Sequence, residues 1–200
     1  DDIKRLLQII LENGHHSTLE HISFTFAIEE ISRVTSHQLV RHRIASYSQQ
    51  SQRYVREKEQ FDYIIPEKIK SNSEIEELFK ENMTQQQKIY DKLTTKLMEE
   101  CYNEKKAIEA ARYVLPNATE TKIVVSMNAR SLLHFFELRC CERAQREIRD
   151  LARKMLQNVK EVAPIIFEKS GPLCETEGRC KEGDMTCGRL EINKERDING

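Results

Sequence analysis

The fold is decided by residues 119–140, TETKIVVSMNARSLLHFFELRC, where a β-branched run passes directly into an apolar helical pattern. Residues 119–127 predict a strand, because Ile123, Val124 and Val125 are adjacent and β-branched. Residues 128–140 predict a helix, and Asn128 is a typical N-cap because its side chain can accept a hydrogen bond from the first turn. A strand that runs straight into a helix is therefore the starting point for the rest of the chain.

Helical patterns dominate on both sides of this segment. Stretches in which apolar residues recur every three or four positions are predicted as helices: residues 3–12, 32–42, 73–105, 107–114 and 142–162. The helix over 73–105 is the longest, with Ser73 as its predicted cap and Glu76 completing a capping box. Residues 15–21 and 43–54 are polar and are predicted as loops.

A second strand is predicted over residues 22–31, because Phe24, Phe26 and Ile28 alternate with other side chains. Strands and helices follow one another without a strict βαβ order. The predicted class is therefore α+β, a single domain with a mixed or antiparallel sheet flanked by helices. We expect this domain to cover residues 1–170 and an irregular Cys- and Gly-containing tail to cover 171–200.

Composition limits the classes of function. The 200 residues are 38% hydrophobic and 32% charged, and the net charge of -1 gives no general attraction to nucleic acid or to an anionic membrane. A bound phosphate would need local arginine clusters. Neither a membrane-spanning stretch nor a signal peptide is evident, and the cysteine usage favours a cytoplasmic protein. The chain begins without Met, so we expect the native protein to start further upstream.

The densest polar cluster is RHRIASYSQQSQRY, residues 41–54. Gln38 and Arg41 are three apart on a predicted helix, and an extended backbone beyond it would place Gln49, Ser51 and Arg53 on one side. Guanidinium forks and a hydroxyl suit a phosphate or pyrophosphate. A solvated basic loop is the competing interpretation of this cluster alone.

The cluster resembles the signature of the flavin-dependent thymidylate synthases, in which Arg-His-Arg is followed after seven residues by Ser. Arg41, His42, Arg43 and Ser51 match that pattern. Two neighbouring positions depart from its commonest form, since Ser48 stands where Asn is frequent and Gln49 where Glu is frequent. A role at position 49 that requires a carboxylate is therefore in question, although Gln can still hydrogen-bond a pyrimidine or flavin edge.

Two further segments resemble blocks of the same family. Residues 15–21, HHSTLEH, look like its His-x-Ser-x-x-Glu-His segment, and residues 128–139 look like its second block. Zinc binding is the alternative for the first segment, but its spacing is not that of a regular zinc site. Arg139 lies on the apolar stripe of its own helix, so it needs a polar or anionic partner. An internal salt bridge and a bound anion are both compatible with that position, and Arg112 matches one more family position.

The resemblance implies an enzyme that methylates dUMP to dTMP, with methylenetetrahydrofolate as carbon donor and reduced FAD, regenerated by NADPH, as hydride donor. It implies FAD contacts from Ser17, Arg41, His42, Arg43, Gln49, Asn128, Ala129, Arg130 and His134. It implies dUMP contacts from Gln38, Leu39, Val40, Arg41, Gln49, Gln50, Ser51, Gln52, Arg53, Arg112 and Arg139. His15 would lie near the flavin and folate, and Arg139 would be catalytic. The family also implies a homotetramer with shared active sites.

Two alternatives come from other classes. Basic residues interleaved with Tyr47 and Tyr54 could follow a nucleic-acid backbone, although the arginines lie in separated blocks. Cys174, Cys180 and Cys187 could bind Zn²⁺ with a fourth ligand, but the tail has no His and no C-x₂-C pair. We therefore predict neither a nucleic-acid partner nor a bound metal.

Overall fold

The computed structural model describes residues 2–55, 60–100 and 102–190. Three strands, β1 (Ser23–Ser32), β2 (Ala45–Gln49) and β3 (Glu120–Asn128), form one small antiparallel sheet in the order β1-β3-β2. Helices make up most of the remainder. The predicted α+β class is confirmed.

The helices follow one another along the chain. They are α1 (Asp2–Glu12), α2 (Arg33–Leu39), α3 (Glu67–Lys70), α4 (Ser73–Glu99), α5 (Glu104–Ala111), α6 (Ala129–Arg139), α7 (Arg146–Val162), α8 (Pro164–Phe167) and α9 (Leu173–Thr176). Short 3₁₀ helices span His16–His21, Arg112–Val114 and Gly183–Met185. No described helix combines the length and apolar character needed to cross a membrane.

The middle strand, β3, accounts for the pattern that the sequence shows. Thr121, Ile123 and Val125 are buried on one face, whereas Lys122 and Val124 between them are exposed. This alternation is the period-2 burial of a strand with one face in the core. The predicted strand over 119–127 is confirmed, and so is the predicted strand over 22–31.

Several predicted boundaries are wrong. The long helix ends at Glu99, and its cap is Asn72, whose side chain accepts hydrogen bonds from the amides of Glu74 and Ile75. Asn precedes Ser73 and occupies the cap position with extended backbone angles, which leaves Ser73 as the first helical residue. The predicted helix over 107–114 begins earlier as α5. Cys101, which fell inside the predicted long helix, lies outside the described residues.

Other corrections concern the segments on either side of the sheet. Residues 16–21 form a 3₁₀ helix instead of a loop, and α2 ends at Leu39, three residues before its predicted end. Residues 45–49 form β2, which the sequence did not predict because ASYSQ has no apolar alternation. The last long helix begins at Arg146 instead of 142, with the Gln145 side chain as its cap.

The chain divides into two compact units, and the division falls within the strands. The first unit comprises residues 1–26, 41–46 and 125–200, and its core contains α6, α7 and α8. Leu132, Phe135 and Phe136 of α6 are fully buried there. Because apolar side chains fill one face of α6, its remaining polar residues are held at defined positions.

The second unit comprises residues 27–40 and 47–124. Its core contains the fully buried Tyr90 of α4, Leu39 of α2 and Phe61. The backbone amide of Phe61 donates to the side chain of Gln87 at 2.9 Å, so this buried amide is paired. Helix α5 packs along α4 and carries its small Ala107 and Ala111 inward.

Candidate functional site

Helix α6 positions one group of predicted site residues. The Asn128 side chain accepts a hydrogen bond from the Ser131 amide at 2.8 Å, so the predicted cap at this helix start is confirmed. Arg130 and His134, four residues apart, are both exposed and lie on one face of the helix. Ala129, also predicted to contact FAD, is fully buried at the first helical position.

Arg139, at the last turn of α6, contacts the Arg-His-Arg segment. Its Nε–H donates to Nε2 of His42 at 2.8 Å. The His42 ring meets the buried Phe135 ring edge-on, with centroids 4.8 Å apart and planes at 88°. The structure therefore brings together two residues that are 97 positions apart in sequence and that were both predicted for the site.

The charges around this pair are unusual. Burial, and then the positive charges of Arg139 and His134, lower the pKa of His42 from 6.5 to about 4. The imidazole is therefore neutral at physiological pH. Burial and the nearby charge of Arg41 also lower the pKa of Arg139, although a guanidinium stays protonated at neutral pH. Two arginines thus share a region with a neutral histidine, which favours a bound anion.

Other predicted flavin residues of the first unit have different surroundings. Arg130 forms an ion pair with Glu20, a partner that sequence reasoning missed. Ser17 lies in the 3₁₀ helix His16–His21 and is exposed, as is His15 immediately before it. Arg43 is also exposed. The resemblance of residues 15–21 to a family segment that ends in Glu-His could have drawn attention to Glu20. It could not have shown which arginine pairs with Glu20.

A cavity of about 730 Å³ opens beside α6 in the first unit. Its apolar wall includes Leu11, Leu133 and Ile166, and Arg130 and His134 supply donors. Four carboxylates also line it: Glu12, Glu137, Glu168 and Glu177. The cleft mixes apolar and charged side chains, so a flavin bound there would have to place its pyrophosphate at Arg130 and His134, away from these carboxylates.

In the second unit, Gln49 is held at the end of β2. Its Nε2 donates to the hydroxyl of Ser36 at 3.0 Å and to that of Thr121 at 3.1 Å. Both hydroxyl residues are buried. These bonds use the amide nitrogen and leave the amide oxygen as the acceptor, which is the chemistry that a Glu at this position would also offer.

Arg53 and Arg112 both contact Glu109 of α5. Arg53 forms an ion pair with the Glu109 carboxylate at 2.9 Å, and the Nε–H of Arg112 donates to the Glu109 carbonyl at 3.3 Å. Both arginines were predicted to contact dUMP. Glu109 was not predicted, and its position three residues before Arg112 was the only local signal for it.

The segment after β2 forms a turn instead of the extended backbone that was expected within the predicted loop over 43–54. The hydroxyl of Ser51 accepts from the Arg53 amide at 3.2 Å, and the Ser51 carbonyl accepts from the amides of Tyr54 and Val55. Gln49, Ser51 and Arg53 therefore do not share the face of one strand. Gln52 is buried, and Gln50 is exposed.

The remaining predicted dUMP residues lie at the end of α2 or directly after it. Leu39 is fully buried, and Gln38 and Val40 are half-buried. Since the helix ends at Leu39, helical spacing no longer relates Gln38 to Arg41, which is exposed. Across residues 2–55, 60–100 and 102–190, no group of three or more His, Cys, Asp or Glu is arranged to hold a metal ion.

A sequence model of the family described as thymidylate synthase complementing protein matches residues 1–165. The chain belongs to this family. Curated relatives that are about 50% identical to this chain in sequence carry the name flavin-dependent thymidylate synthase. The protein of Clostridium tetani is 52% identical over 197 residues, covering 94% of this chain and 78% of the relative. The protein of Geobacter sulfurreducens is 52% identical over 189 residues, with the same coverage.

The flavin-dependent thymidylate synthase of Pyrococcus abyssi is 47% identical over 204 residues, covering 98% of this chain and 80% of the relative. The residues matched by the family model include α6 and the segment around Arg41, and they also include Arg53, Glu109 and Arg112. The match ends at residue 165, so the Cys-bearing tail lies beyond the matched residues.

Proposed function

We propose that this chain is an FAD-dependent enzyme that makes dTMP from dUMP, with methylenetetrahydrofolate as the carbon donor and NADPH as the source of reducing equivalents. The observation that carries the proposal is the pair Arg41 and Arg139 beside a neutral His42, within a chain of this family. Positive charge that lacks a described carboxylate partner is suited to an anionic substrate.

FAD would be held mainly by residues of the first unit. Asn128, Arg130 and His134 lie within the first two turns of α6, where the helix dipole favours an anionic group, although the amides of Ala129 and Ser131 are already bonded within the fold. The other proposed contacts are Ser17, Arg41, His42, Arg43, Gln49 and Ala129. Reduced FAD, when bound, supplies the hydride that completes the methyl group. Arg130 would then exchange part of its ion pair with Glu20 for the flavin pyrophosphate.

The proposed dUMP contacts include residues of the second unit. Arg53 and Arg112 present two guanidinium groups around Glu109 and would bind the phosphate. Gln49 would offer its amide oxygen to an N–H of the pyrimidine or flavin. The other proposed contacts are Gln38, Leu39, Val40, Arg41, Gln50, Ser51, Gln52 and Arg139.

Arg139 is the proposed catalytic residue. Its guanidinium is half-buried, bonded to a neutral acceptor and repelled by Arg41, so its charge is not cancelled locally. Negative charge that develops on the uracil ring as its carbon gains a one-carbon unit would be stabilised by this preorganised cation. His15 would lie near the flavin and folate.

The assembly and the location are part of the same proposal. We propose a homotetramer with shared active sites in the cytoplasm, in which residues that contact one ligand need not come from one subunit. Scattered ligand residues without a self-contained nucleotide-binding fold are consistent with that arrangement. Size-exclusion chromatography with light scattering tests it, and an active monomer would contradict it.

The activity is tested by incubating the purified chain with dUMP, FAD, NADPH and methylenetetrahydrofolate and measuring dTMP by chromatography. We expect dTMP to form only in the complete mixture. Arg139→Ala should lose activity by at least about a hundredfold while remaining folded. Arg146→Ala is the matched control, because Arg146 is exposed on α7 and, among the residues that the structure describes, pairs with Asp150 alone, at 3.6 Å. An inactive wild type, or full activity in Arg139→Ala, would refute the proposal.

A further inference from the structure

Arg139 differs from neighbouring arginines in its partner. Arg143 pairs with Glu182 at 3.6 Å, and Arg149 pairs with Glu142 at 3.0 Å. Within the described residues, no carboxylate lies within ion-pairing distance of Arg139, whose hydrogen bond goes to an imidazole instead. A half-buried cation without an anion is costly, so this arrangement calls for a specific explanation.

The geometry defines the state of the histidine. The Nε of an arginine always carries hydrogen, so the His42 Nε2 at 2.8 Å must present its lone pair. The edge-on contact with the fully buried Phe135 fixes the plane of the ring. The imidazole is therefore a rigid, uncharged acceptor aimed at the guanidinium.

We propose that His42 is a positioning residue for Arg139, orienting its guanidinium without neutralising it, so that the full positive charge remains for the reacting pyrimidine. This inference rests on the proposed function. A carboxylate in the same place would orient Arg139 equally well, but it would compensate its charge. In a half-buried site, such compensation weakens the attraction for a developing negative charge much more than it would in water.

The hydrogen bond also determines which atoms of Arg139 are presented. A guanidinium has five N–H donors, and His42 takes the one on Nε. The four N–H groups on the two terminal nitrogens have no hydrogen-bond partner among the described residues. These are the donors that a planar ligand edge can use in a bidentate contact.

The test compares three replacements of His42 in the full-length, FAD-loaded enzyme. His42→Gln retains a neutral acceptor, His42→Glu retains an acceptor but adds a negative charge, and His42→Leu has no acceptor. His37→Gln is the matched control, because His37 is exposed on α2. For each variant, bound flavin per chain, melting temperature, kcat and the KM for dUMP are measured.

We expect His42→Gln to keep kcat within about tenfold of the wild type. His42→Glu should lose about a hundredfold in kcat, with a melting temperature equal to or above that of the wild type because a new ion pair forms. His42→Leu should also lose kcat. Equal kcat in the Gln and Glu variants would overturn the proposal. So would losses that track bound flavin, because His42 would then only hold the cofactor.

If a His42 variant does not fold, the protonation state of His42 can be measured in the wild-type protein by NMR, which does not require enzymatic turnover. In wild-type protein labelled with ¹⁵N-histidine, we expect His42 to show an unprotonated Nε2 at pH 7. A proton on that nitrogen would overturn the inference even if the enzyme makes dTMP. If the wild type makes no dTMP but the nitrogen is unprotonated, the proposed function fails and the geometric part of the inference stands.

Discussion

Replacing Asn128 with Ala should lower the free energy of unfolding by about 1 kcal/mol, because it removes the cap of α6. The Asn128 side-chain oxygen accepts from the Ser131 amide at 2.8 Å, and the residue is half-buried, so water replaces the bond poorly. For a chain of 200 residues, this loss corresponds to a fall in Tm of about 2–4 °C.

The replacement Asn128→Asp separates the cap from the proposed flavin contact. Aspartate keeps the acceptor, and its charge at a helix N-terminus adds about 0.3–1 kcal/mol of stability. The same carboxylate removes the amide donors and repels a pyrophosphate. We therefore expect Asn128→Asp to be at least as stable as the wild type but to bind FAD more weakly, which is the opposite of a purely structural effect.

Both variants are assayed by urea unfolding followed by circular dichroism, without added flavin and at one protein concentration, because an oligomer's stability depends on concentration. Asn103→Ala is the control, since Asn103 caps α5 by accepting from the Lys106 amide at 3.0 Å. If Asn103→Ala loses about 1 kcal/mol while Asn128→Ala loses nothing, the cap argument for α6 is refuted.

Three further predictions concern single side chains. Gln49→Leu should destabilise the chain by about 1–2 kcal/mol in thermal unfolding, because two buried hydroxyls lose their donor, whereas the exposed Gln50→Leu should not. Burial raises the pKa of Cys140 to about 11, so iodoacetamide at neutral pH should label the exposed Cys180 but not Cys140 in mass spectra. The pKa of His42 is about 4 in the folded chain and 6.5 in the unfolded chain. Its contribution to the free energy of unfolding is therefore complete above pH 6.5 and is lost as the pH falls through 4. Over that range, the free energy of unfolding of the wild type should fall more steeply than that of His42→Gln.

The sequence predicted the elements whose local pattern agrees with their environment. The run of Ile123, Val124 and Val125 predicted β3, and Asn128 predicted the start of α6. The fold buries Ile123 and Val125 and leaves Val124 exposed, and the Asn128 side chain bonds the Ser131 amide. The β2 strand was missed because ASYSQ does not alternate apolar with polar residues, although its burial in the structure alternates between half-buried and exposed positions.

The partners of the site residues could not be read from the sequence. Glu20 lies 110 positions from Arg130, and Arg53 lies more than fifty positions before Glu109. Such pairs depend on tertiary contacts that local spacing does not encode. The resemblance predicted a site role for Arg139, but its hydrogen bond to His42 appears only in the structure.

The most direct test of the account is the visible absorption spectrum of the purified chain during titration with dUMP. We predict a yellow protein whose flavin bands shift and saturate as dUMP is added, with Arg139→Ala binding flavin but needing more dUMP for the same shift. A wild-type protein that takes up no FAD, or whose flavin bands do not respond to dUMP, would contradict the central claim.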